Sequence, residues 1–169
     1  MSLRVGLISD THGHLDPKVF DYFDEVDQIW HAGDVGNESL IEELGAFKPI
    51  LGVYGNIDGH KVRQLFPEDQ RFTCEGVKVW MTHIGGKPPR YNPRVKPLIE
   101  KWRPDLFICG HSHILAIMPD PRIKGVLYMN PGAAGKHGFH KEKTLLRFTL
   151  ADGKIKQLEV VKLGLRASP

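Results

Sequence analysis

At 169 residues, 41% of them apolar, with a formal net charge of +3, the chain has room for one hydrophobic core and lacks the composition of a disordered or strongly nucleic-acid-binding protein. No apolar run approaches the roughly 20 residues of a membrane helix, and residues 1–5 lack the regions of a secretory signal. The expectation is one cytoplasmic domain over residues 1–169. Cys74 and Cys109 form no CxxC pair and imply no disulfide framework.

Short apolar runs at residues 4–8, 28–30, 50–54, 77–81, 106–109 and 126–129 predict strands. Several are almost continuously apolar, which suits strands covered on both faces. Between them, Asp16-Pro17 predicts a helix start, followed by Val19, Phe20, Phe23 and Val26 at helical spacing. Glu38–Phe47 places Leu40, Ile41 and Leu44 on one side, and Asn92-Pro93 opens a third helix to Trp102 that Pro97 kinks or shortens. Residues 85–93 are expected as a loop. Strand and helix alternate, so the fold class is α/β. Near the C-terminus, residues 144–150 and 154–160 flank Ala151-Asp152-Gly153, a strong hairpin signal. That pair is expected to extend a second sheet.

The chemistry lies just past the strands. After the first five come Asp10-Thr11-His12, Gly33-Asp34, Gly55-Asn56-Ile57-Asp58, Thr82-His83 and Gly110-His111-Ser112-His113. Asp10, Asp34, Asn56, His83 and His111 are spaced 24, 22, 27 and 28 residues apart, close to one strand–helix unit of roughly 30 residues. Each cluster therefore falls at a strand's carboxyl end, where open α/β sheets bind ligands. Taken singly, these motifs are ordinary caps, turns or satisfied histidines. In order and at successive strand ends they converge on one place. Seven Asp, Asn and His donors without Cys suit Mn, Fe, Zn or Mg. They are too many for one tetrahedral zinc and fit two ions bridged by a carboxylate, roughly 3.5–4 Å apart.

The ordered set Asp-x-His, Gly-Asp, Gly-Asn-x-Asp, a lone His and Gly-His-x-His resembles the calcineurin-like metallophosphoesterases, and most closely their small YfcE-type phosphodiesterases. Asn130-Pro131-Gly132-Ala133 is similar to that group's Asn-Pro-Gly-Ser, with Ala133 in place of Ser. The resemblance implies a four-layer α/β/β/α sandwich of two mixed sheets. It implies one metal on Asp10, His12, Asp34 and His113, and a second on Asp34, Asn56, His83 and His111, with Asp34 as the bridge. Asp34, Asn56 and Asp58 carry over as catalytic residues, Asp58 by orienting a ligand or a substrate-side group. The implied cofactors are two divalent ions, Mn first, with Ni, Fe, Zn, Co or Mg admissible. The implied reaction is hydrolysis of small aryl or nucleotide-like phosphoesters, above all diesters, by a metal-activated hydroxide.

One position departs from the pattern. Larger members of the superfamily carry His directly after the Asn, whereas here it is Ile57, which has no proton to give. Lys87, Arg90, Arg94, Lys136, His137 and His140 are candidates for phosphate contact or solvated surface, and His31 is a candidate partner of the ligands. The competing functions are a protein-interaction scaffold of the same fold, as in a retromer subunit, and a phosphomonoesterase. Scattered Lys and Arg do not form the basic groove of a nuclease. A small phosphoester is the expected partner, a membrane or nucleic-acid polymer is not, and a homo-oligomer is admissible.

Overall fold

The computed structural model describes residues 1–167. Its elements run β1 (Ser2–Ile8), α1 (Lys18–Tyr22), β2 (Gln28–His31), α2 (Glu38–Phe47), β3 (Ile50–Gly52), α3 (His60–Leu65), β4 (Asp69–Cys74), β5 (Val77–Thr82), β6 (Gly86–Lys87), β7 (Arg90–Tyr91), α4 (Lys96–Trp102), β8 (Leu106–Ile108), β9 (Ala116–Pro119), β10 (Leu127–Asn130), β11 (Glu142–Ala151) and β12 (Lys154–Leu165). One sheet has the order β12-β11-β1-β2-β3, the other β4-β5-β8-β10-β9. In the first, β1, β2 and β3 run parallel. In the second, β5, β8 and β10 do. Antiparallel strands extend the parallel set on one side in the first sheet and on both sides in the second.

Side-chain alternation sorts the apolar residues into three cores, which make four layers. Ile8 and Ile29 point outward under Val19, Leu40, Leu44 and Val62 of the first three helices. Leu7, Trp30, Phe148, Val79, Met81 and Ile108 point inward and fill the space between the sheets. Trp80, Phe107 and Tyr128 point out from the second sheet onto Ile99 of α4. A period of two, buried on both sides, is why these strands look continuously apolar in sequence.

Several expected elements shift. The C-terminal hairpin forms, but it joins the first sheet: β11 pairs antiparallel with β1, Val5 opposite Phe148 and Leu7 opposite Leu146. Alternation fixes which face of a hairpin is buried, not which sheet edge receives it. The first helix is a single short stretch, Lys18–Tyr22, preceded by Pro17 in helical conformation, and the expected cap forms, with the Asp16 carboxylate accepting from the Lys18 N–H at 2.9 Å. The fourth begins at Lys96, with Pro97 in its first turn, where a missing N–H costs nothing. The third strand ends at Gly52 and the last predicted one before the hairpin begins at Leu127. Residues 85–93 hold the small β6–β7 ribbon. By contrast, α2 keeps its expected limits, with Asn37 accepting from the Leu40 N–H at 3.0 Å.

The interlayer core aligns the strand ends of the two sheets. Phe148 is buried there, edge-on to Trp30 with ring centroids 5.8 Å apart. Phe148→Ala should lower unfolding free energy by about 3–5 kcal/mol, read from urea melts. A loss below about 1 kcal/mol would mean that the sheets are held together elsewhere.

Candidate metal centre

The chain turns sharply at each strand end. Asp10, His12, Asp34, His111 and His113 all have positive φ, at 53°, 46°, 54°, 71° and 62°. A non-glycine residue in this region costs on the order of 1 kcal/mol. Backbone bonds hold the strain: Asp10 N–H donates to Gly33 C=O at 3.0 Å, His12 N–H to Asp34 C=O at 3.0 Å, and Gly110 N–H to His83 C=O at 3.1 Å. Gly55 and Gly110 have no room for a side chain. A Cβ on the first would land on the Asp34 carboxylate, and one on the second on Ser9 and Asp10.

The strained turns bring all seven candidate ligands to one edge. Ligand atoms of Asp10, His12 and His113 lie within 4.8 Å of one another, and so do those of Asp34, His83 and His111. Asp34 Oδ2 lies between the groups, 3.4 Å from His12 Nε2 and 3.3 Å from His83 Nε2. Asp10 Oδ1 is 3.2 Å from His113 Nε2. Asn56 Oδ1 is 3.1 Å from His111 Nδ1. Asp10 Oδ1, His12 Nε2 and His83 Nε2 are buried without a hydrogen-bond partner among the described residues. Buried polar atoms normally have one, and a divalent cation is the partner this oxygen and nitrogen set fits.

The imidazoles are oriented from behind. His83 Nδ1 faces Ala32 C=O at 2.7 Å, so Nδ1 carries the hydrogen and Nε2 turns its lone pair toward the carboxylates. His140 Nε2 faces Gly135 C=O at 2.8 Å, which leaves its Nδ1 as an acceptor for His113 Nδ1–H at 3.3 Å. His113 Nε2 is thereby bare toward Asp10. Such partners fix tautomer and ring angle at metal sites. Burial disfavours a charge on His83, but the close Asp34 and the charge of Asp10 outweigh it, so its pKa is raised. Asp34 is pushed up by burial, yet His83 holds it below the ordinary carboxylate value. A proton on His83 Nε2 would therefore compete with any cation taken up at that nitrogen. Burial lowers the pKa of His12, despite Asp34 and Asp10.

Asp58 does not face the cleft. Its oxygens accept from the N–H groups of Val35 at 3.1 Å, Gly36 at 2.9 Å and Gly55 at 2.8 Å, clamping the loop of Asp34 to the loop of Asn56. Asn130 donates to Gly110 C=O at 3.0 Å and to Ser112 Oγ at 3.1 Å, which pins the loop of His111 and His113. Of the candidate phosphate contacts, Arg94 is occupied by Asp69 at 2.9 Å and by Thr82 at 2.7 Å. Lys87 and Arg90 lie exposed on the β6–β7 ribbon. His137 stacks on His12 at 4.7 Å. The role of His140 and the Arg63 guanidinium over Tyr54 at 4.3 Å had no sequence signal. A cleft of about 510 Å³ opens over His12, Asp34, His111 and His113, with Ile57 on its rim. One of about 390 Å³ opens on the side of Asn56 and His83.

Residues 3–153 match the calcineurin-like phosphoesterase superfamily domain. A probable metallophosphoesterase of Methanothermobacter thermautotrophicus is 30% identical over 136 residues, covering 78% of this chain and 77% of that protein. Among solved structures, an archaeal phosphodiesterase superposes with a TM-score of 0.74 at 22% identity, covering 94% of this chain and all of that one (100%). Vacuolar protein sorting 29 from Cryptosporidium parvum superposes with a TM-score of 0.67 at 19% identity, covering 96% and 98%.

His31 is no ligand in this arrangement. It is fully buried, accepting from Gly33 N–H at 3.1 Å on Nδ1 and meeting Thr11 Oγ1 at 3.0 Å through Nε2, while Thr11 donates to Val35 C=O at 2.8 Å. This chain of bonds needs the neutral imidazole, and burial lowers its pKa to about 4. The folded protein therefore binds fewer protons here than the unfolded one. The stabilisation is complete above about pH 6.5 and is lost as pH falls toward 4, by up to about 3 kcal/mol. Urea midpoints from pH 7 to 4 should fall more steeply for the wild type than for His31→Asn. Parallel pH profiles would show that His31 is not the group responsible.

Proposed function

The chain belongs to the calcineurin-like phosphoesterase superfamily, and on that premise we propose that it is a two-metal phosphodiesterase for small phosphoesters. The observation that carries the reading is Asp34 Oδ2, almost equidistant from His12 and His83, between two groups that each have the donors of a metal site. In this reading Asp10, His12, Asp34 and His113 hold one ion. Asp34, Asn56, His83 and His111 hold the other, with Asp34 shared. Divalent ions at these positions supply Lewis acidity toward phosphoryl oxygens and lower the pKa of water. Manganese is our first choice; Ni, Fe, Zn, Co and Mg are compatible with the same donors.

The chain's own contribution is placement. Asp58 and Asn130 lock the loops, and Ala32 and Gly135 carbonyls set which imidazole nitrogen is bare. Fixed groups need no reorganisation when charge builds on the phosphoryl and leaving-group oxygens. Asp34 and Asn56 are the residues nearest the reacting phosphoryl group in this reading, and Asp58 acts by positioning them. Clefts on both sides of the cluster leave room for a substituent at either side of phosphorus, which favours diesters over monoesters. The likeness to vacuolar protein sorting 29 keeps a scaffold as the competing reading; seven competent donors in register favour the enzyme.

Metal-free protein given Mn, Ni, Co, Zn or Mg should hydrolyse bis(p-nitrophenyl) phosphate faster than p-nitrophenyl phosphate. Asp34→Asn should lose both ions together, counted by elemental analysis. Two bound ions with no hydrolysis under any metal would turn us to the scaffold, and a full complement in Asp34→Asn would refute the shared carboxylate. Ile57, half-exposed at the cleft, offers no proton to a leaving alkoxide. A general acid is worth about 10²–10⁴ in rate. Aryl diesters should therefore outpace alkyl diesters by about a hundredfold or more, and Ile57→His should narrow the gap. Equal turnover of the two ester classes by the wild type would reveal another donor.

A further inference from the structure

Eight large apolar side chains are exposed among the described residues. Three of them, Ile57 at 46%, Ile114 at 62% and Phe139 at 103%, stand around the one cleft that opens over His12, His111 and His113. Singly, exposed apolar residues are ordinary; gathered at the mouth of a concave site they mark a ligand. The cleft of about 510 Å³ lies in the range of small-ligand sites, roughly 300–1,000 Å³.

Phe139 owes its place to an anchored loop. On one side of it, His137 stacks on His12 with an interplanar angle of 28°. On the other, His140 is tied to His113 and to Gly135 C=O. Arg166 donates to His140 C=O at 2.9 Å and to Lys136 C=O at 3.3 Å from outside. Gly138, with φ of +126°, runs so close to the floor that a Cβ would strike His113. The chain is thus pressed down at Gly138 and lifts an aromatic ring at the next residue, where it covers nothing of its own fold.

We propose that Ile57, Ile114 and Phe139 form the subsite for a planar aromatic group of the substrate, an aryl ring or a nucleobase, joined to the phosphoryl group that the His and Asp floor receives. The inference rests on the phosphoesterase reading above. The rim is continuous with the candidate ligands, and its apolar top above a polar floor complements a ring attached to an anion. Ring-on-ring contact adds to the burial of apolar area.

The test compares two anions with the same head, methylphosphonate and phenylphosphonate, titrated calorimetrically into the Mn-loaded protein and assayed as competitive inhibitors. The readout is the ratio of their affinities. Phenylphosphonate should bind the wild type about fivefold tighter or better; the ratio should fall toward one in Phe139→Ala and persist in Phe139→Trp. Because Phe139 is fully exposed, these variants remove no packing. A wild-type ratio of one, or a ratio untouched by Phe139→Ala combined with Ile57→Ser, overturns the subsite. So does a wild-type ratio of one with self-association that Phe139→Ala abolishes, which assigns the patch to protein contact. If neither phosphonate binds and no ester is turned over, the phosphoesterase reading fails and takes this inference with it. If esters are turned over and both phosphonates bind equally, the inference alone fails.

Discussion

Two buried carboxylates, Asp10 and Asp34, share a space with Nε2 of His12 and with the bare Nε2 of His83 and His113. Lone pairs facing carboxylates repel one another, and the low dielectric of the site strengthens the repulsion. The fold tolerates the arrangement because the backbone has no alternative. Five of the seven donors are held at positive φ by bonds between neighbouring loops, and Asp58 ties two of the loops together through three peptide N–H groups. Stability is given up locally and recovered in the three apolar cores. This is the pattern expected where a cation completes the electrostatics.

Behind the donors lies a layer that acts on hydrogen positions. A carbonyl at Ala32 and another at Gly135, the second relayed by His140, place the imidazole hydrogens away from the centre. His31 uses the same logic for a different end. Its neutral form bridges Gly33 to Thr11 and secures the loops of Asp10 and Asp34 to each other. Histidine thus stands here both as candidate donor and as mortar, and the neighbouring hydrogen-bond partners decide which.

That the candidate donors gather at one edge was legible in the sequence, as was the α/β class of the fold. Gly33-Asp34, Gly55-Asn56 and Gly110-His111 stand out because donor and glycine are adjacent, and the structure gives the reason for these glycines: a neighbouring motif's side chain occupies the space a Cβ would need. Parallel strands also put successive clusters on one edge, so spacing carried the convergence. What sequence concealed was tertiary. The hairpin's destination depends on which edge of a sheet is open. The orienting role of His140 depends on a carbonyl five residues earlier that the turn brings back. Asp58 was expected to orient a ligand or a substrate-side group, but which groups it holds was hidden: its carboxylate takes the peptide N–H groups of Val35, Gly36 and Gly55.

The pairing of β1 with β11 has a bearing on synthesis. β1 is synthesised long before its partner, Glu142–Ala151. Until then one edge of β1 is an unpaired ladder, and the segment bearing Gly135, which accepts from His140 and donates to Asp10 C=O, does not yet exist. Contacts this distant in sequence close late, and open edges are exposed to wrong partners meanwhile. The nascent chain therefore carries the candidate donors Asp10 and His12 well before the frame that aims them is finished.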